Sequence, residues 1–485
     1  MQLGLIFNIL GRFLCLIALG MVPSIFVASY EENYVVMDAF MLSAAVALML
    51  GVFILLATRG AKPAEKLTRV MLGLVLSAIC VAFVAGLPIA LLSPENTLVM
   101  ALFNGMSMLT TTGVSSLYAG VIPKAIVLWQ AIMGWFGGFL AIVIGLSILH
   151  VTNSGGMQLH KSPLPHGLGE GTYNRFSHSF KTLLPFYLLA TVLGFFALLL
   201  GPMTVFDSFV RALSGISTHG FDGVNGTNAV YGYWSQFVMV LLMLFGALNM
   251  DYHYGWFKLN KRNIYVQDSE SISYIKFMAL AFAIFWVLAF LSYGRDAFSV
   301  KTLWDGLFIV TTMMSTTGLS LPDMQAVTLP GVGVLLVSLV VLGGCVISSA
   351  GGVKIMRFVI VLRHLKQELF RIAQPHGVAT IRYARAVVAQ KDIDAVWLLG
   401  SGFLLLIVFG TVALAVLGVP FEEALPMAVA SSTTTGPLVE FISPSFPGYA
   451  HLMLPEYAVL SFLMLFGRIE VSILLGLMVR ALWRE

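Results

Sequence analysis

Thr110-Thr111-Thr112-Gly113-Val114, Ser217-Thr218-His219-Gly220-Phe221, Ser315-Thr316-Thr317-Gly318-Leu319 and Thr433-Thr434-Thr435-Gly436-Pro437 are four writings of one stretch, [Ser/Thr]-Thr-[Thr/His]-Gly-apolar. Their glycines stand roughly 100 to 120 residues apart, which divides most of the chain into four similar units. One copy alone would read as a solvated turn. Here each copy follows a short apolar segment and precedes a long one. A polar, Gly-bearing, non-helical stretch at membrane depth must be buried in protein or line a water-filled cavity.

The composition places these stretches in a membrane. Of 485 residues, 59% are hydrophobic and only 10% charged, and the mean hydropathy is +0.92. That is the profile of an all-α polytopic membrane protein, with apolar runs too long and continuous for the strands of a barrel. The three cysteines, Cys15, Cys80 and Cys345, lie isolated in apolar runs and suggest neither a disulfide framework nor a metal site. The first apolar run lacks a clear small-residue cleavage site and is expected to be a retained helix.

Two spans are expected first, at about 1–30 and 37–58, followed by a basic loop with Arg59, Lys62, Lys66 and Arg69. The pattern then repeats: long span, short apolar segment, Thr-Gly stretch, return span, basic loop. The units are 1–62 for the two extra spans and 63–160, 161–265, 266–375 and 376–485 for pore repeats 1 to 4. About ten spans and four half-spans result, the half-spans being too short to cross and so re-entrant. With the N-terminus and the basic loops on one side, only Lys124, Arg211, Arg295 and Lys301 of the 27 Lys and Arg fall on the other, and Arg468 falls within a span. That bias predicts both termini in the cytoplasm and the Thr-Gly stretches toward the outside. The segment 356–394, with Arg357, Arg363, Lys366, Arg371, Arg382, Arg385 and Lys391, is expected to be an interfacial helix against anionic lipid, on a face that also suits a cytoplasmic partner.

Four parallel span–half-span–span units can surround one central pore. Each half-span would then aim its partly negative C-terminus at the axis, which favours a cation there. Beyond it, rings of backbone carbonyls can replace the hydration shell of an alkali ion. Glycine lets the backbone approach that ion in conformations other residues avoid. All four stretches lack Asp, Glu, Lys and Arg, so the selectivity would be built from neutral groups. The cation-contacting set expected on this reading is Thr111, Thr112, Gly113, Thr218, His219, Gly220, Thr316, Thr317, Gly318, Thr434, Thr435 and Gly436.

These stretches, with Trp135-Phe136-Gly137-Gly138, Gly155-Gly156-Met157-Gln158-Leu159, Gly343-Gly344-Cys345, Gly351-Gly352-Val353-Lys354, Leu465-Phe466-Gly467-Arg468-Ile469-Glu470 and Leu482-Trp483-Arg484, make the chain resemble the Trk/Ktr/HKT superfamily of potassium transporters, most of all its bacterial TrkH family. The resemblance covers nearly the whole chain, including the two extra N-terminal spans. It implies potassium uptake across the bacterial inner membrane, with K+ bound in the filter, no organic cofactor, and no enzymatic activity. It implies a homodimer, surrounding membrane lipids and a cytoplasmic nucleotide-binding regulatory subunit of the TrkA type, with no nucleic acid as partner. Symport with H+ or Na+ is left open. In that family glycine at all four positions goes with potassium. His219 departs from the small residue more usual there, and its ring is expected behind the filter, donating a hydrogen bond.

Gly343, Gly344, Cys345, Ser348, Ser349, Gly351 and Gly352 interrupt the third return span. Four glycines in ten residues disfavour a helix interior, at about 0.8–1 kcal/mol each relative to alanine. Two readings stand: close helix packing through small residues, or an intramembrane loop below the filter, the family's gate region, with Lys354 at its cytoplasmic end. Arg468 is the basic residue deep in a span, where an ionisable group faces protein or water. It would either bridge to another helix or, as the resemblance implies, point into the pore beside the loop. Asp207, Asp305 and Glu422 would stabilise the outer starts of half-spans, and Asn249, Asp251 and His253 would sit at the membrane interface.

Other classes fit less well. A membrane enzyme would cluster carboxylates or pair a nucleophile with a base inside the spans, and none are seen. A secondary transporter would show inverted repeats and midplane acids. The ion-conducting subunit of a potassium-pumping ATPase has similar fourfold organisation but lacks the two extra spans and the Leu465–Glu470 ending.

Overall fold

A computed structural model describes residues 4–60, 67–92, 97–117, 122–149, 162, 172–221, 232–258, 260, 263–321, 329, 331–374, 380–383, 386–443 and 446–469. Two long helices, α1 (Gly4–Tyr30) and α2 (Tyr34–Ala57), form an antiparallel pair. Asn33 caps α2 by accepting from the Val36 N–H at 3.3 Å. Repeat 1 is α3 (Leu67–Ala90), α4 (Leu98–Leu109) and α5 (Lys124–Ile144). Repeat 2 is α6 (Thr172–Leu199), α7 (Val205–Ser217), α8 (Tyr233–Ala247) and α9 (Met250–Phe257), followed by the short turn α10 (Ile264–Gln267). Repeat 3 is α11 (Ser269–Tyr293), α12 (Val300–Met314), α13 (Val332–Leu342) and the amphipathic α14 (Ile355–Ala373). A two-residue hairpin, β1 (Arg382–Tyr383) and β2 (Ala386–Val387), leads to repeat 4: α15 (Gln390–Val416), α16 (Phe421–Ser432), the short α17 (Leu438–Ile442) and α18 (Leu454–Ile469).

Among the described residues seven helices are long and apolar enough to cross a membrane: α1, α2, α3, α5, α6, α11 and α15. The second return span, expected as one helix, is instead bent by 102° between α8 and α9. No proline marks that break; Gly246 stands just before it, and a buried polar group, Asn249, sits in it. The third return span ends early at Leu342, and the fourth is described to Ile469. The motif residues Gly155–Leu159, Glu470 and Leu482–Arg484, and Arg385 of the basic segment, lie outside the described residues.

The half-spans α4, α7, α12 and α16 are helices of 12, 13, 15 and 12 residues, as their apolar length requires. Three begin on a Thr or Ser whose hydroxyl accepts from a first-turn N–H: Thr97, Thr204 and Ser299. The fourth begins after Pro420, with Glu422 and Glu423 in its first turn. Asp207 does stabilise the start of α7, taking a hydrogen bond from the Thr204 hydroxyl at 2.7 Å. Asp305 is instead buried, in the second turn of α12. In segment 356–394, Arg357 departs from the exposed basic face: it is buried, and its guanidinium donates to the Val353 carbonyl at 3.1 Å.

Half-spans reach the centre because glycines let them approach their neighbours. A Cβ on Gly86 of α3 would lie 1.8 Å from the Ala101 carbonyl oxygen of α4, and one on Gly105 of α4 would lie 1.6 Å from that of Ala82. Both contacts are backbone against backbone, so no side chain can yield. Gly105→Ala should lower stability by about 1–3 kcal/mol, read as an earlier heat-induced loss of the monodisperse peak in detergent. Gly400→Ala on α15, where a Cβ meets open space, should be neutral or slightly stabilising in the same assay.

Candidate functional site

Each half-span ends the same way. The second residue of each stretch, Thr111, Thr218, Thr316 or Thr434, takes a left-handed conformation with φ between 52° and 63°. The next N–H then reaches back five residues: Thr112 to Ser107 at 2.8 Å, His219 to Ser214 at 2.9 Å, Thr317 to Thr312 at 2.8 Å and Thr435 to Ala430 at 2.7 Å. This is a Schellman ending with threonine where glycine is usual. A β-branched residue there costs about 1–3 kcal/mol, so the surrounding packing must hold four strained threonines. The left-handed turn was expected of the glycines. Only Gly113 and Gly318 share it, with φ of 81° and 76°.

What all four glycines have in common is contact with the next stretch. A Cβ on Gly113 would lie 2.7 Å from the Phe221 nitrogen, and on Gly220 1.8 Å from the Thr317 oxygen. On Gly318 it would lie 3.0 Å from Pro437 Cδ, and on Gly436 2.7 Å from the Thr112 oxygen. The Gly436 N–H donates to that Thr112 carbonyl at 2.8 Å. First touches second, second touches third, third touches fourth, and fourth touches first. The stretches therefore close a ring in chain order, with four helix C-termini converging on it, and every one of the twelve expected residues lies in it.

The ring is backed by the return spans. A Cβ on Gly137, Gly246 or Gly467 would lie 2.2, 2.4 or 2.0 Å from the carbonyl oxygen of Leu109, Ile216 or Ser432 at the end of a half-span. In repeat 3 the corresponding Gly343 is where the helix stops. The chain makes a loop through residue 352 and returns, with Val353 N–H on the Val341 carbonyl at 2.9 Å and Lys354 N–H on that of Leu342 at 3.0 Å. Gly343 and Gly351 cross at the neck, 2.2 Å from would-be Cβ to oxygen. The segment is thus a loop and not a packed helix. It lies against the ring: the Gly351 N–H donates to the Thr316 hydroxyl at 2.7 Å, and the Thr218 hydroxyl donates to Ser349 Oγ at 3.3 Å. Lys354 folds its ammonium back to the Ala350 carbonyl.

The bend in repeat 2 holds this loop. Asn249, Asp251 and His253 are buried, not interfacial. Asn249 Oδ1 accepts from the Ile347 N–H at 2.9 Å, and its Nδ2 donates to Glu270 at 2.9 Å. Glu270 in turn accepts from the Val346 N–H at 2.9 Å. The Met250 N–H donates to the Ile347 carbonyl, and Cys345 N–H to that of Ala247, both at 2.9 Å. His253 is fixed between the Phe245 carbonyl and the Tyr265 hydroxyl. The sequence reading missed Glu270; the available signal was a carboxylate at the edge of an apolar span.

His219 lies behind the ring as expected, its imidazole against Gly134, where a Cβ would lie 2.5 Å from Cγ. The Thr111 backbone acts on the ring as a hydrogen-bond partner, though the geometry falls short of a regular hydrogen bond for either ring nitrogen among the described residues. The imidazole fills volume there. Arg468 is on α18 next to Gly467, and its charge acts on Tyr187 of α6. Its Nε and Nη2 are buried without a hydrogen bond, so among the described residues it neither bridges to another helix nor holds a loop carbonyl. No group of three or more His, Cys, Asp or Glu that could hold a metal occurs among the described residues.

A family model, TrkH, a cation transport protein, matches residues 36–481. The chain belongs to the TrkH family. A Vibrio parahaemolyticus relative named Trk system potassium uptake protein TrkH is 30% identical over 81% of each chain. A Halomonas elongata relative of the same name is 27% identical over the full length of both. The crystal structure of the potassium transporter TrkH from Vibrio parahaemolyticus matches with a TM-score of 0.87 and 26% identity, covering both chains fully. The four-unit organisation inferred from the repeated stretches is therefore the TrkH fold.

The loop clamp gives a direct test. In a Cys15→Ala, Cys80→Ala background Cys345 is the remaining thiol, and it is fully buried in the loop. Glu270→Ala removes two hydrogen bonds to a charged acceptor, each contributing about 1.5–3 kcal/mol, so labelling of Cys345 by a small water-soluble thiol reagent should speed up roughly tenfold or more. Glu270→Gln should fall between Glu270→Ala and the parent.

Proposed function

We propose that this chain takes up potassium into the cell, conducting K+ through the Thr-Gly ring down its electrochemical gradient. The observation that carries this is the closed ring of four neutral, carbonyl-rich stretches at four converging helix C-termini. Partial negative charge from the helix ends draws a cation in, and the carbonyls replace its water. Its relatives' names, Trk system potassium uptake proteins, support the choice of ion. Glycine at 113, 220, 318 and 436 fits the same choice, since a side chain at any of them would push the next stretch away and change the ring width.

The loop through residues 343–352 is the gate on this reading. It lies across the inner side of the ring, and conduction requires it to leave. Arg468 puts a buried positive charge on the conduction path and lowers cation occupancy while it stays there. The chain works as a homodimer in the bacterial inner membrane with both termini in the cytoplasm. A nucleotide-binding subunit of the TrkA type docks on the cytoplasmic face, where the basic, amphipathic α14 follows directly on the loop. Lipid headgroups meet the rest of that face.

The test is expression in a bacterium lacking potassium uptake. The chain should restore growth at low K+ and rubidium tracer uptake. Gly113→Ser should shift preference toward Na+. Arg468→Ala should raise the flux by roughly threefold or more, because removing a like charge in a low-dielectric path lowers the barrier to the cation. Failure to rescue with the regulatory subunit supplied overturns the proposal, and an unchanged ion preference in Gly113→Ser overturns the assignment of the ring.

A further inference from the structure

The four stretches are not equivalent in how their carbonyls are used. In the fourth, the chain turns at once into α17, and the Leu438 N–H takes the Thr435 carbonyl at 3.1 Å. The Gly436 N–H takes the Thr112 carbonyl at 2.8 Å. The Gly436 carbonyl itself accepts a 2.9 Å hydrogen bond from the hydroxyl of Tyr449, a buried residue of the outer segment before α18. No comparable side-chain bond reaches the carbonyls of Gly113, Gly220 or Gly318 among the described residues. Tyr449 is itself held: its own carbonyl accepts from the Tyr457 hydroxyl at 2.8 Å, and its ring packs against Phe446 at 5.2 Å and Phe103 at 6.2 Å between centroids. Phe103 belongs to the first half-span and also meets Tyr457 at 4.6 Å. The seam between the fourth and first stretches is thus braced by an aromatic cluster outside the ring.

We infer that Tyr449 is a specificity-determining positioning residue: through its hydroxyl it fixes the direction of the Gly436 carbonyl and with it the width of the ring at this seam. The inference rests on the ring being the ion filter. A carbonyl ring discriminates K+ from Na+ only while it resists closing onto the smaller ion. The glycine carbonyls of the first three stretches have no side-chain donor among the described residues; in the fourth, a hydroxyl outside the ring holds the carbonyl oxygen. Without it the Gly436 carbonyl is free to turn toward a smaller ion, and Na+ is better accommodated. Burial makes the bond count, because water does not replace the lost donor.

The experiment measures K+ and Na+ permeation of purified protein in vesicles, with the regulatory subunit supplied, as the ratio of the two ions' fluxes. Tyr449→Phe keeps the ring packing and removes one oxygen. The K+/Na+ ratio should fall by roughly 2- to 10-fold, the range expected from losing one buried hydrogen bond. Tyr457→Phe, which only loosens Tyr449, should produce a smaller fall. Protein yield and total flux would report a merely structural role; the ratio would not move. A ratio unchanged in Tyr449→Phe, while Gly113→Ser shifts it, overturns the inference and leaves the filter reading standing. A ratio unchanged in both overturns the filter reading. A larger fall in Tyr457→Phe than in Tyr449→Phe overturns the proposed route through the Gly436 carbonyl.

Discussion

Everything central in this molecule depends on how four short helices stop. At Thr111, Thr218, Thr316 and Thr434 the backbone turns left-handed, and the following N–H closes onto a carbonyl five residues back. That turn redirects each chain from its half-span into the ring. It also costs strain, which persists only where the surroundings over-determine it. The surroundings here are the neighbouring stretches, packed so closely that none of the four ring glycines could carry a side chain without displacing backbone or proline. Strain at the threonines and tight contact at the glycines are two sides of one arrangement.

The support around the ring is uneven. Three return spans back it with a glycine against a half-span carbonyl. The third span cannot, because it breaks at Gly343, and the loop that replaces it reaches the ring through Gly351 and Ser349. That loop is in turn tied to the bend of repeat 2 by Asn249 and Glu270. The second and third stretches are therefore steadied by that loop. The first and fourth are steadied from outside, by the aromatic cluster around Tyr449.

Much of this was legible in the sequence, for identifiable reasons. Hydropathy sets span length, half-spans are short for a physical reason, and the repeated stretch marks where each must end. The loop at Gly343–Gly352 was visible because glycines at that density oppose a helix. Other features left no local trace. The 102° bend after Ala247 has no proline, and the one glycine beside it, Gly246, reads as close helix packing; what holds the bend is tertiary, since Asn249 serves a loop about a hundred residues away. Propensity assigns left-handed turns to glycine, so the left-handed conformation of the four threonines left no trace in the sequence; packing overrides propensity in a ring this crowded. His219 was expected to donate a hydrogen bond because a buried polar group usually does; the Thr111 backbone is its polar neighbour among the described residues, at less than regular geometry, and its ring fills a hollow left by Gly134. Tyr449 stands apart from any motif, and its link to Gly436 exists only in three dimensions.

Building the ring from one polypeptide has a genetic consequence. In a pore made of four identical chains, any substitution in the filter falls on every quadrant at once, and most such changes are intolerable. Here a substitution touches one quadrant and leaves three intact. An imidazole at position 219, a proline at 437 and the loop that interrupts the third return span are changes of that kind, the first two each found in one of the four stretches. The covalent ring lets evolution adjust its four quarters one at a time.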